Sequence, residues 1–182
     1  NMIGFKPDKY ELIELETFWL SETPDVPGSR YANQSVCPRV CTHAVLRPLD
    51  GGTMFHAYNT HLDHISDEAR RLGARAILDH MARDLKRRPL PLTLTGDMNA
   101  YPDSAPIQEF LNDKTVHLTN QTPNFPASYH AYGTDMAQPQ IDYIFTQGFE
   151  AVGAPEAWGI TEFGKYMSDH YALGAYVEPC AR

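Results

Sequence analysis

A chain of 182 residues, 42% hydrophobic and 21% charged, fits one globular domain with a real core, and no apolar stretch in it is long enough to span a membrane. The net charge of −8 works against a long nucleic-acid track, which needs clustered Lys and Arg. Cys37, Cys41 and Cys180 are odd in number and follow no repeat, which argues against a disulfide framework.

The first residues, Asn1 to Lys6, have no signal-peptide layout and read as the middle of a strand. The chain is therefore expected to be part of a longer product, cytoplasmic by preference, with any targeting signal upstream. Tyr10 to Leu20 has strand composition, with Glu11, Glu14 and Glu16 toward water, and Ser21 to Arg30 is a loop marked by Pro24, Pro27 and Gly28. Arg39 to Leu46 and Met54 to Asn59 predict two antiparallel strands joined at Asp50-Gly51-Gly52. Cys37 and Cys41 offer a zinc site with His43. Their neighbours Val36, Val40, Ala44 and Val45 look like strand, so core cysteines are expected instead.

Ser66 is placed to cap a helix, with Asp67 and Glu68 in the first turn, where carboxylates favour the dipole. Ala74, Ile77, Leu78, Met81 and Leu85 recur at helical spacing as a buried stripe, and Pro89 and Pro91 stop the helix near Arg88. Seven of the 15 basic residues (Arg70, Arg71, Arg75, Arg83, Lys86, Arg87, Arg88) fall here and predict a solvated face rather than a nucleic-acid patch. Leu92 to Thr95 is a short buried strand and Pro106 to Leu111 a short helix. Ile141 to Thr146, Ala151 to Trp158 and Tyr171 to Val177 are further strands. Trp19 and Trp158 end strand-like runs and are expected in the core or at a sheet edge. Many strands with one long helix predict an α/β domain of two stacked, mainly antiparallel β-sheets flanked by helices.

Four polar segments follow apolar runs: Asn59-Thr60-His61-Leu62, Gly96-Asp97-Met98-Asn99, Ile141-Asp142-Tyr143-Ile144 and Ser168-Asp169-His170. They supply three carboxylates, two carboxamides and two imidazoles, a set suited to a hard divalent cation and a phosphate ester. His61, Asp63 and His64 suggest zinc as a rival. The oxygen-rich remainder favours Mg²⁺ or Mn²⁺, leaving Asp63 and His64 as loop structure.

In this order and these strand contexts the four segments resemble the endonuclease/exonuclease/phosphatase superfamily, the deoxyribonuclease I-like fold. Phe18-Trp19-Leu20-Ser21-Glu22-Thr23-Pro24 further resembles a bacterial, largely uncharacterised branch. The resemblance implies a four-layer α/β/β/α sandwich and covers about the last two-thirds of such a domain. The leading strands, one ending in Asn and one bearing a metal-binding Glu, have no counterpart before Asn59.

The resemblance implies that Asp97 positions or deprotonates the attacking water and, with Asp169, contributes to metal binding. It makes His170 a phosphate contact or general base oriented by Asp142, with His61 and Asn99 holding phosphate oxygens. Asn59 is expected to brace its loop, with substrate contact as a weaker role. Tyr129, His130, Tyr101, Tyr132 and Tyr166 are candidates for the substrate mouth. The expected activity is metal-dependent hydrolysis of a small phosphoester by in-line attack of water. A nuclease and a catalytically impaired phosphate-binding module are the alternatives. Missing strands would leave apolar surface for self-association or a complementing segment.

Overall fold

The computed structural model describes residues 1–125, 127–134, 139–159 and 161–180. Its frame is a six-stranded sheet. β1 (Tyr10–Trp19), β2 (Val40–Pro48) and β3 (Phe55–His61) lead into the helix α1 (Asp67–Arg87). β4 (Leu92–Asp97), α2 (Ala105–Leu111), β5 (Thr119–Asn120) and β6 (Asp142–Gln147) follow. The order across the sheet is β1-β2-β3-β4-β6-β5. β3 and β4 are parallel, as the α1 crossover between them requires, and the other neighbours are antiparallel.

The expected α/β class holds, with mainly antiparallel pairing. Beyond the large sheet, the remaining strands form two-stranded ribbons: β7 (Phe149–Ala151) with β12 (Val177–Pro179), β8 (Glu156–Trp158) with β11 (Ala172–Gly174), and β9 (Thr161–Glu162) with β10 (Lys165–Tyr166). Sequence predicts one strand over Ala151 to Trp158 and another over Tyr171 to Val177. Each is broken in two. Gly153 turns at φ +83°, a conformation that interrupts a strand, and the returning chain breaks in step between Gly174 and Val177. Trp158 packs on Gly174, where an added Cβ would lie 2.5 Å from the indole, so this tryptophan covers a ribbon and stays partly exposed.

α1 forms where the apolar stripe and caps predict. Ser66 Oγ accepts from the Ala69 amide, and Ala74, Ile77, Leu78 and Met81 are buried against Tyr58, Leu92, Leu94 and Phe145 of the sheet. Two of its basic residues are drawn into surface ion pairs, Arg75 with Asp79 and Asp113 and Arg87 with Glu14. Cys41 is buried in the core and Cys37 is exposed, so neither joins His43 in a metal-like cluster among the described residues. No described helix is long and apolar enough to cross a membrane.

Side chains alternate across each strand, which gives the large sheet two different faces. On the α1 face lies a polar network that the strand patterns do not reveal: His43, His56, Tyr58, His80 and Asp84, all buried. Burial pushes His43 down to about 4 and lowers His56 as well. Burial and the hydrogen bond to Asp84 hold the proton on Tyr58. The opposite face carries Phe55, Ala57, Asn59 and His61, and it opens toward the candidate site.

Candidate active site

Three of the predicted residues form a row across adjacent strands. His61 ends β3, Asp97 ends β4 and Asp142 begins β6; His61 pairs in register with Asp97, and Asp97 with Asp142. Both strands run two residues further than the sequence predicts, which places His61 and Asp97 on the sheet rather than beyond it. Gly96 makes the close approach of β3 and β4 feasible. It sits at φ +147°, and a Cβ there would lie 1.9 Å from the Thr60 carbonyl oxygen.

His170 arrives from the loop before β11. Its backbone bridges to Tyr129, and the two rings meet edge to face at 5.0 Å. Its Nδ1 lies 2.7 Å from Asp142 Oδ2, a charge-assisted hydrogen bond that fixes the ring and leaves Nε2 facing the cleft. That Nε2 is 3.8 Å from Asp97 Oδ2, and His61 Nε2 approaches the same oxygen at 3.3 Å. Asn99, at φ +46°, is pinned twice: its amide N–H donates to Asp97 Oδ1 at 2.8 Å and its Nδ2 to the Leu62 carbonyl at 3.1 Å.

His61, Asp97, Asn99 and His170 open on a cleft of about 870 Å³, lined also by Arg39, His64, Tyr101, Tyr129 and Asp169. Burial, and then the neighbouring Asp142, raise Asp97 to about 6. Burial, and then Arg39 and His170, lower His61 to about 4, which keeps it neutral. The Asp142 hydrogen bond raises His170, against its own burial.

The residues fit a divalent cation. Donor atoms of Asp97, Asp142 and His170 all lie within 4.8 Å of one another. Asp97 is disfavoured as an anion by burial and by a second carboxylate, a strain that a cation relieves. Asp169 borders the same cleft, but its carboxylate stands outside that three-donor cluster. The structure therefore groups Asp97 with Asp142 and His170 rather than with Asp169, the expected partner. The rival zinc set does not assemble: buried Asp63 is spent on the amides of Ser35, Ile65 and Ser66, and His64 Nδ1 lies 3.0 Å from Arg39 Nη2.

Two weaker expectations are corrected. Asn59 does not border the cleft: its Nδ2 donates to Thr95 Oγ1 at 2.9 Å and to the Thr95 carbonyl at 3.2 Å, tying β3 to β4. His130 is buried between Tyr166 and Tyr171, and its Nδ1 accepts from the Gly133 amide, so it supports the loop and does not meet substrate. Tyr129 and Tyr101 reach the cleft, whereas Tyr132 and Tyr166 do not. Arg39 is the residue that sequence reasoning passed over. It stands alone between Pro38 and β2, with no motif around it, and only the fold brings its guanidinium beside His61 and His64.

The family model described as "Endonuclease/Exonuclease/phosphatase family" matches residues 11–170. Among solved structures, an endonuclease/exonuclease/phosphatase from Bacteroides vulgatus is 28% identical, with a TM-score of 0.85 over 96% of this chain and 68% of that one. A functionally unknown conserved protein from Enterococcus faecalis is 26% identical, with a TM-score of 0.85 over 96% of this chain and 69% of that one. A mannosyl-6-phosphatase from Bacteroides thetaiotaomicron shares the fold at 24% identity, with a TM-score of 0.83 over 96% of this chain and 69% of that one. No curated protein sequence matches the chain.

Proposed function

The chain belongs to the endonuclease/exonuclease/phosphatase family, and from that premise we propose that its cleft hydrolyses a small phosphoester with Mg²⁺ or Mn²⁺. The observation that carries this reading is the convergence of Asp97, Asp142 and His170, distant in sequence, to within 4.8 Å of one another, with Asp97 and His170 on the wall of one open pocket. Asp97, with Asp142 beside it, would hold the cation, with Asp169 elsewhere on the cleft wall, and the cation when bound neutralises phosphate charge and polarises the ester.

The chain's own residues do the rest. Asp142 holds His170 Nδ1–H, so Nε2 is the proton acceptor that faces the cleft. Asp97 orients a water from the side of β4. Neutral His61 donates to a non-bridging oxygen, and the Arg39 guanidinium adds a fixed positive charge on the same wall. Asn99, held by Leu62 and Asp97, keeps its remaining amide hydrogen and carbonyl for substrate or water.

Acidic net charge and the pairing of the α1 arginines favour a small ester over duplex nucleic acid. The likeness in fold to a mannosyl-6-phosphatase supports sugar phosphates as the first class to try. The test is phosphate release from a sugar phosphate, a chromogenic phosphodiester and an oligonucleotide, each with chelator, Mg²⁺ or Mn²⁺. Metal-restored turnover of a small ester with an intact oligonucleotide is expected. Oligonucleotide cleavage that falls steeply with salt replaces this reading with a nuclease, and metal binding without turnover of any substrate replaces it with a phosphate-binding module.

A further inference from the structure

We propose that His43, His80 and Asp84 form a second metal site, a structural Zn²⁺ centre buried between α1 and the large sheet and separate from the cleft. Three donor atoms on three buried residues converge there, all within 4.8 Å of one another. Two of them, His43 Nδ1 and His80 Nδ1, are buried without a hydrogen bond. They nevertheless lie 3.5 and 3.0 Å from Asp84 Oδ2. Ligand atoms arranged tetrahedrally around zinc at its usual bond lengths stand roughly 3.3 Å apart. Close atoms that do not point at one another are what a shared ion between them produces.

The hydrogen-bond chain behind His43 sets its tautomer. The Arg88 carbonyl can only accept, so His56 Nε2, 3.0 Å away, carries a hydrogen. Neutral His56 then has a bare Nδ1, which accepts from His43 Nε2 at 2.9 Å. Neutral His43 is left with a bare Nδ1 3.5 Å from the Asp84 carboxylate. A lone pair that close to an anion is repelled by it, and a cation between them turns the contact into two bonds.

The surroundings match a metal site as well. Metal-bound histidines characteristically engage their second ring nitrogen. His43 does so through His56, and His80 Nε2 lies 3.3 Å from Glu16 Oε2. Tyr58 donates to Asp84 Oδ2 at 2.6 Å, and Arg87 donates to Oδ1 at 3.0 Å, which orients the carboxylate. The charged groups facing the cluster are Asp84, Glu14 and Glu16, opposed by Arg87 and by Arg88, which lies 3.7 Å from Glu14. Two imidazoles and one carboxylate suit zinc better than Mg²⁺, and the fourth position falls to a water from the pocket that His80 and Asp84 border.

The test starts from an Asp97→Asn/His170→Ala chain, in which two of the three cleft donors are removed. After Zn²⁺ loading and dialysis, elemental analysis is expected to find one zinc per chain, and Co²⁺ in its place is expected to give the strong visible absorption of a tetrahedral site. Adding His80→Gln is expected to weaken zinc binding about 100-fold or more, and Glu16→Gln, a surface change that spares the core, about tenfold. If the His80→Gln chain does not fold, the Glu16→Gln titration and the cobalt spectrum decide. Zinc lost on dialysis, a weak octahedral cobalt spectrum, or unchanged affinity in the folded variants would overturn the proposal.

Discussion

Two His–Asp clusters occupy opposite faces of one sheet, and they differ in what surrounds them. The cleft cluster, His61, Asp97, Asp142 and His170, is partly open. Its carboxylates crowd one another, and Asp97 is raised to about 6. The cluster under α1, His43, His56, His80 and Asp84, is buried. Tyr58, Arg87 and the Arg88 carbonyl brace it, and Asp84 stays below the usual carboxylate range despite its burial. The same residue types thus serve two ends. An open, electrostatically strained set has room for substrate, whereas a buried set with oriented partners has room for an ion and little more.

Asp84→Ala should break the buried cluster. It strips the partner from Tyr58, Arg87 and two imidazoles, and should cost about 3 kcal/mol of stability in urea denaturation. The folded fraction should keep its turnover. Loss of turnover in proportion to stability would mean that the two faces are not independent. Asp97 should behave in the opposite sense. Its folded-state carboxyl titrates above its unfolded value, so the ionised form disfavours the fold above pH about 6, and Asp97→Asn should leave stability unchanged or improved there.

Asp142→Asn sharpens the contrast within the cleft. Turnover should fall about 10- to 100-fold, since His170 loses its orienting carboxylate. Asp142 is the main cause of the raised His170 value. A base is active when deprotonated, so the acid limb of the kcat profile should move to lower pH in the variant. A loss of rate with an unmoved limb would reduce Asp142 to a purely structural role.

The two regions were not equally legible in the sequence. The cleft was, because its residues follow strand runs in a recognisable order and register then aligns His61, Asp97 and Asp142. The helix stripe and the Ser66 cap were readable from local chemistry alone. Arg39 was not, because a lone arginine before a strand carries no signal until the fold brings it beside His61. His130 and Asn59 were over-read: both are polar residues near motifs, yet their partners are Gly133 and Thr95. The buried cluster was invisible. His43, His56 and His80 occupy ordinary strand and helix positions, and only the packing of α1 brings them to Asp84. The ribbon breaks were missed for a related reason, because pairing partners rather than local composition decide where a strand ends.

The central claim is that Asp97 and His170 act as one unit on a phosphoryl group. A double-mutant cycle on kcat/KM with Asp97→Asn, His170→Ala and the combined variant tests it most directly. Each single change should cost about 1,000-fold, and the double should lose no more than about a further tenfold. Losses that multiply, or a near-normal rate in either single variant, would contradict the account.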